Sequence, residues 1–452
     1  METTNKVQSF IDNLCEEYPK YNHIDPSSYA NENVKRGLRN ADGTGVLAGL
    51  TRVGSAQGYY VQDGAKTPMD GRLVYRGIDI RDLVAGVTED KRFGFEEVAY
   101  LLLCGTLPNK TQLGDFHNVM NELRHLPKGF TEDAILKNPS PDIMNKLASC
   151  ILSLYSYDAN PDSCKLADML RHGMELTARA PVIVAHAFAV KRHYYDRESL
   201  VLHILRDDVS LAENFLHLLR PDKQFTPEEA HLLDLCLILH AEHGGGNNST
   251  FTCRTLTSSM TDTYSAIAGA IGSLKGPLHG GANNQVMDMF EHIKSGIKNW
   301  DDEDEICDYL GKILRKEAGN GDGKIYGMGH AVYTLSDPRA ILLKKYAREL
   351  APKHGCLEEF NLLEAVERLS PKVFASIKGD SKTISANVDM FSGLVYQMLG
   401  IPAEMYTPIF AVARIVGWCA HRIEEAIYGG RIMRPAYRSL EPIKGYTPLD
   451  ER

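Results

Sequence analysis

The sequence predicts a mostly α fold with a small β-ribbon near its N-terminus. Apolar residues recur at three- and four-residue spacing through most of the chain. Helix start and stop signals are explicit, and strand-like alternation is confined mainly to residues 46–77. Of 452 residues, 43% are apolar and 24% charged, which excludes disordered, collagen-like and coiled-coil chains. At roughly 150 residues per domain the length allows two or three domains.

The N-terminal METTNKVQSFIDNLCEEYPK lacks a basic segment followed by an apolar one. It carries Asp12, Glu16 and Glu17, which a mitochondrial-type leader avoids. In the ribbon, VLAGLTRVGSAQGYYVQDGA and RLVYRG alternate around Asp-Gly turn signals at 63–64 and 70–71. The helical pattern then takes over in FEEVAYLLLC (95–104), SLAENFLHLL (210–219), 232–240 and 407–427. Thr226-Pro227-Glu228-Glu229 combines a Thr cap, Pro at the first helical position and Glu at the third, a capping box. Thr407-Pro408 repeats the cap-plus-proline pattern, and Gly276-Pro277 and Gly400 with Pro402 read as helix stops. No βαβ alternation follows the ribbon, which disfavours a Rossmann-type sheet. The longest apolar run, APVIVAHAFAV at 180–190, is too short to span a membrane and ends in Lys191-Arg192-His193.

Lys plus Arg total 50 against 59 Asp plus Glu, and a net charge of −9 without a long basic block argues against nucleic acid as a partner. Nine cysteines are scattered without a CxxC, several inside apolar runs. They read as small core hydrophobes in a reducing compartment, so a cytoplasmic location is expected.

Histidines beside glycine-rich turns are the first chemical signal: His240 and His243 in LHAEHGGGNNST, His279 in GPLHGGANN, and His330 in YGMGHAVY. Glycine permits close backbone approach to a ligand. His279 precedes a helix expected from about Ala282, whose positive dipole end would keep the imidazole neutral and able to donate; the plain alternative is a capping role. His240 and His243, three apart, suit a pair of donors better than a metal. HxxH here lacks the zincin glutamate and a third ligand. Asp389 falls in the first turn of an apolar helix capped by Asn387, either a surface carboxylate stabilised by the dipole or a partly desolvated base. Arg339, Arg414 and Arg434 are candidates for binding carboxylates. Arg414, inside an apolar helix, needs an anionic partner, a ligand or an acid such as Glu424 or Glu425. GNGDGKIYGMGH does not have GxGxxG spacing and follows no strand, so it is not a dinucleotide motif.

GPLHGGANNQVMDMF, GMGHAVYTLSDPRA, NVDMFSGLVYQMLGIP and TPIFAVARIVGWCAHRIEE with RIMRP, in that order, resemble the blocks of the citrate synthase family. LHAEHGGGNNSTFTCR resembles its HxDH–NxST block, with Glu242 where that block has Asp, and RLVYRGIDIRDL resembles the segment after its ribbon. The likeness implies His279, His330 and Asp389 as catalytic residues in an ordered condensation of acetyl-CoA with oxaloacetate. It implies oxaloacetate binding by His243, His330, Arg339, Arg414 and Arg434, the last lent across the interface of a homodimer. The loop with Lys324, Gly327 and Gly329 would line the CoA site. The same likeness implies a large helical domain (1–280 and 400–452) and a small one (281–399), with the active site in the cleft between them. No permanently bound cofactor, no metal and no membrane partner are expected, acetyl-CoA being a co-substrate. A 2-methylcitrate synthase using propionyl-CoA shares these residues. A non-catalytic citrate-sensing protein on the same scaffold would have no need of the intact trio.

Overall fold

The computed structural model describes residues 5–62, 65–379 and 384–452. The chain forms two compact units, residues 1–50 with 61–66 and residues 51–60 with 67–452. The expected small domain, 281–399, falls within the second. In the first, α1 (Asn5–Asn22) buries no side chain, and α2 (Pro26–Asn31) is capped by Asp25, which accepts from Ser27 N–H.

Strands β1 (Gly54–Gln62), β2 (Ala65–Tyr75) and β3 (Ile78–Asp79) form one sheet in sequence order. β2 and β3 are antiparallel, with Val74 opposite Asp79 and Tyr75 opposite Ile78. Residues 46–53, read as strand-like, precede β1 without joining it. The expected turn at 63–64 lies outside the described residues. The one at 70–71 is not a turn, because Asp70 and Gly71 run through β2. Gly71 is there for a close approach: its N–H donates to Ser336 Oγ at 3.0 Å, and a Cβ would meet the Ser336 carbonyl at 2.0 Å.

Helices make up the rest. The sheet leads into α3 (Ile80–Glu89), α4 (Phe95–Cys104), α5 (Lys110–Leu123), α6 (Ile143–Leu154) and α7 (Leu166–Tyr195). There follow α8 (Leu211–Leu219), α9 (Pro227–His240), α10 (Asn248–Thr257), α11 (Thr263–Lys275), α12 (Ala282–Gly296) and α13 (Glu303–Leu314). Last come α14 (Pro338–Leu350), α15 (Leu357–Lys378), α16 (Asp389–Met398) and α17 (Tyr406–Tyr428). The capping box at Thr226 and Glu229 is formed, and Ser210 with Glu213 makes a second one. Thr407 does not cap: α17 begins a residue earlier, so Pro408 sits in the first turn, where its missing N–H costs nothing, and Thr407 Oγ1 instead donates to Gly280 O at 3.1 Å.

α17 is buried along most of its length and packs against α4, α7, α9, α10 and α11. The 180–190 run lies inside α7, and among the described residues no helix is long and apolar enough to cross a membrane. Cys150, Cys236, Cys253, Cys356 and Cys419 are buried as expected, whereas Cys15 and Cys104 are exposed.

Candidate active site

Two chain segments meet to position His330 and Asp389. Met328 and Ala386 form an antiparallel bridge, flanked by Gly329 N–H to Ser385 O at 2.7 Å and Asn387 N–H to Gly327 O at 2.9 Å. Asn387 completes the tie: its Nδ2 donates to Gly329 O, and its Oδ1 accepts the Asp389 N–H, both at 2.9 Å. Gly327 has φ +79°, and a Cβ would come within 3.1 Å of Met390 Cα and Val286 Cγ2, so only glycine lets the loop pass this closely.

Asp389 is half-buried at the start of α16, followed by the buried Met390, Phe391, Leu394 and Val395. Burial lifts its carboxyl to about 6, against the pull of Arg339 and with a further push from Asp337. The Arg339 guanidinium is buried and held by Asp337, Nη2 to Oδ2 at 2.7 Å and Nε to Oδ1 at 3.1 Å. Burial opposes its charge, but Asp337 raises its pKa overall.

His330 Nδ1 accepts the N–H groups of Val332 at 3.0 Å and Tyr333 at 3.1 Å. An accepting Nδ1 carries no proton, so the ring proton is on Nε2. The ring stacks on Tyr333 with centroids 4.7 Å apart. His243 approaches the same pair, its Nε2 3.1 Å from Tyr333 Oη and its ring 5.2 Å from that of His330. Burial holds His243 far below the ordinary imidazole range, assisted by the charges of the Arg339 and Arg414 guanidiniums.

His279 lies in the loop between α11 and α12, as the stop signal and the Ala282 start predict. Its ring is held by another helix, however. Ser249, in the first turn of α10, donates its N–H to His279 Nε2 at 3.3 Å, and Ser249 Oγ lies 2.9 Å from the same nitrogen. A helix-start N–H, left without an intrahelical partner, is thus used to mark Nε2 as the acceptor and Nδ1 as the proton carrier. Burial, then the charge of Arg414, pushes its pKa down to about 4. Titration of the His279 ring by NMR in the unliganded chain is expected to give an apparent pKa near that value. One at or above the ordinary 6.5 would remove the neutral-donor role.

Arg414 is buried, and its Nε donates to His240 O at 2.6 Å. The acids expected as its partner do not hold it: Glu424 and Glu425 both pair with Arg254 at 2.9 Å. Arg414 Nη2 is buried with no hydrogen-bond partner among the described residues, and burial lowers its pKa to about 10. A buried guanidinium left one donor short has a hydrogen bond to offer an anion.

The other residues singled out from the sequence sit in different surroundings. His240 does not join His243 as a donor pair; it packs on Phe410 with centroids 4.4 Å apart, a core histidine. Lys324 is exposed beside Asp322 at 3.9 Å and above the Tyr326 ring, at the rim of a cavity of ≈ 250 Å³ bounded also by Gln285, Asp288 and Met289. Arg434 is exposed in the segment after α17. Tyr333, Ser249 and the Glu242–His421 pair escaped sequence reasoning. Ser249 lay in the NxST block, and the Glu in HxEH was the visible signal for the last.

A carboxyl poised near neutrality, two neutral imidazoles presenting N–H groups and buried cations for carboxylates make a site for carbon-acid chemistry on an anionic substrate. The family model for the citrate synthase C-terminal domain matches residues 43–436. A citrate synthase of Synechocystis sp. is 35% identical over 93% of this chain and 95% of its own length. A 2-methylcitrate synthase of Shewanella oneidensis is 34% identical over 82% of this chain and 90% of its own. The solved ternary complex of carboxymethyl coenzyme A and oxaloacetate with citrate synthase from Thermoplasma acidophilum superposes with a TM-score of 0.75 at 26% identity. That likeness covers 93% of this chain and 99% of that one. The chain belongs to the citrate synthase family.

Proposed function

We infer that the chain condenses acetyl-CoA with oxaloacetate and water to give citrate and CoA. The observation that carries this reading is the complementary state of three groups: a raised Asp389 carboxyl, a neutral His279 with its proton on Nδ1, and His330 with its proton on Nε2. Asp389 takes a proton from the acetyl methyl while His279 donates to the thioester oxygen, and the enol(ate) forms with its charge already met. His330 Nε2–H polarises the oxaloacetate ketone, the new carbon–carbon bond closes, and water hydrolyses the citryl-CoA thioester.

His243, Arg339, Arg414 and Arg434 hold oxaloacetate in this reading, three guanidiniums for two carboxylates. The CoA moiety lies along Lys324, Gly327 and Gly329. Residues 281–399 move as a small domain against 1–280 and 400–452, closing the cleft around the substrates. A homodimer with Arg434 lent to the neighbouring site, and a cytoplasmic location, complete the proposal.

The Shewanella relative favours a second reading, 2-methylcitrate synthesis from propionyl-CoA. Turnover with each acyl-CoA in the presence of oxaloacetate separates them. For a citrate synthase, kcat/KM with acetyl-CoA is expected to exceed that with propionyl-CoA by about tenfold or more, the worth of one methylene in a fitted pocket. The reverse preference selects methylcitrate synthesis. No turnover with either selects the citrate-sensing protein.

A further inference from the structure

Glu242 stands one residue before His243, at the position where the resembling block has aspartate, and its side chain is wholly buried. Its Oε1 accepts from Gly244 N–H, on the far side of His243, and from His421 Nε2 at 2.9 Å. The direction of the second bond is set from behind. Arg254 Nη1 lies 2.8 Å from His421 Nδ1, and a guanidinium can only donate, so the ring proton sits on Nε2 and points at Glu242. Arg254 is itself anchored by Glu424 and Glu425. The relay therefore runs from α10 through α17 to the turn after α9.

Two glycines leave room for this side chain. A Cβ on Gly54 would stand 2.7 Å from Glu242 Cγ, and one on Gly417 would stand 2.7 Å from its Oε2. The surrounding backbone is pinned too: Tyr75 Oη donates to Glu242 O at 3.0 Å, and Asn247 Nδ2 donates to Gly244 O at 2.7 Å. Gly244 turns the chain with φ +79°. His243, between two fixed residues, delivers its ring to Tyr333 and His330. An aspartate is one methylene, about 1.5 Å, shorter. Its carboxylate can still accept the Gly244 N–H, as in an Asx turn, but stands short of His421.

We propose that Glu242 is a positioning residue for oxaloacetate: the reach of its Oε1 to His421 and Gly244, rather than its charge, fixes His243 for the substrate. This rests on the reading of His243 as an oxaloacetate ligand. Steady-state kinetics on the full chain test it. Glu242→Gln keeps an acceptor oxygen in place, and its oxaloacetate KM stays within about threefold of the parent. Glu242→Asp keeps the charge and loses the reach, and its oxaloacetate KM rises about tenfold or more, the scale of one lost buried hydrogen bond to a charged group. In both variants kcat at saturation and the KM for acetyl-CoA stay close to the parent. His421→Ala reproduces the Asp effect without touching the turn, and adding it to Glu242→Asp raises KM no further. It also supplies the measurement if the Asp chain does not fold.

Three results overturn the proposal: Asp tolerated while Gln is not, both variants and His421→Ala leaving KM unchanged, or a loss of active fraction at constant KM. A parent chain that turns over no oxaloacetate with either acyl-CoA instead refutes the functional reading. The two failures are thereby distinct.

Discussion

Asp389→Asn is expected to lower turnover by roughly 10²–10⁴, the usual scale for removing a general base. Asparagine keeps the volume and leaves the backbone N–H bond to Asn387 Oδ1 in place, but it cannot take a methyl proton. Oxaloacetate binding is expected to change little, because the groups proposed to hold it, His243, Arg339 and Arg414, are untouched. The parent chain's kcat/KM is expected to rise with pH through about 6, where the Asp389 carboxyl ionises. Near-parental turnover in the Asn variant would make this carboxylate structural and the proposed mechanism wrong.

The same substitution should stabilise the fold. The native carboxyl titrates at about 6, above its ordinary 3.8, so the folded chain binds this proton more tightly than the unfolded one. The stability it contributes is complete below pH 3.8 and is lost as pH rises through about 6. At pH 7 the ionised group therefore costs up to about 3 kcal/mol, which the neutral amide avoids. A raised melting temperature at pH 7 that vanishes near pH 4, together with lost turnover, would mark strain held for catalysis.

Local chemistry was legible in the sequence where it was self-contained. Thr226 and Glu229 satisfy each other's backbone N–H groups within one helical turn, so their box survives any tertiary context. The stop at Gly276 and the start at Ala282 placed His279 on its loop for the same reason. What failed was set by partners far along the chain. Asp70-Gly71 has the composition of a turn, but its glycine answers the backbone near Ser336, and Thr407 has the composition of a cap, but its hydroxyl answers Gly280. His279 was expected to feel the helix that follows it, yet Ser249 of α10, thirty residues earlier, sets its tautomer. Arg414 was expected to need an anion, and the nearby acids on its own helix are taken by Arg254. The resemblance named residue types and order. The tautomers of His279 and His330 came from their hydrogen-bond partners, and the raised Asp389 carboxyl from its burial.

A chain lacking Arg434 and a chain lacking Asp389 are each expected to be nearly inactive alone, and to regain activity when mixed. The tail that carries Arg434 is fixed at the end of α10: Met433 N–H donates to Ser258 Oγ at 3.0 Å, and Met433 Sδ lies 3.6 Å from Thr255 Oγ1. The His279 ring sits at the other end of α10, against Ser249. Nine residues of helix separate the two ends, about 13 Å at 1.5 Å per residue, so the exposed Arg434 follows an anchor at the opposite end of α10 from His279. A two-fold partner can bring it to a second site instead. In a heterodimer of Arg434→Ala and Asp389→Asn, one site then carries both lesions and the other carries neither. Mixing and re-equilibrating the two chains should return about a quarter to a half of parental specific activity, depending on how subunits reassort. If Arg434 serves its own chain, every site in every pairing keeps one lesion, and no ratio of the two chains restores turnover. Demonstrated subunit exchange without recovered activity would therefore confine Arg434 to its own chain.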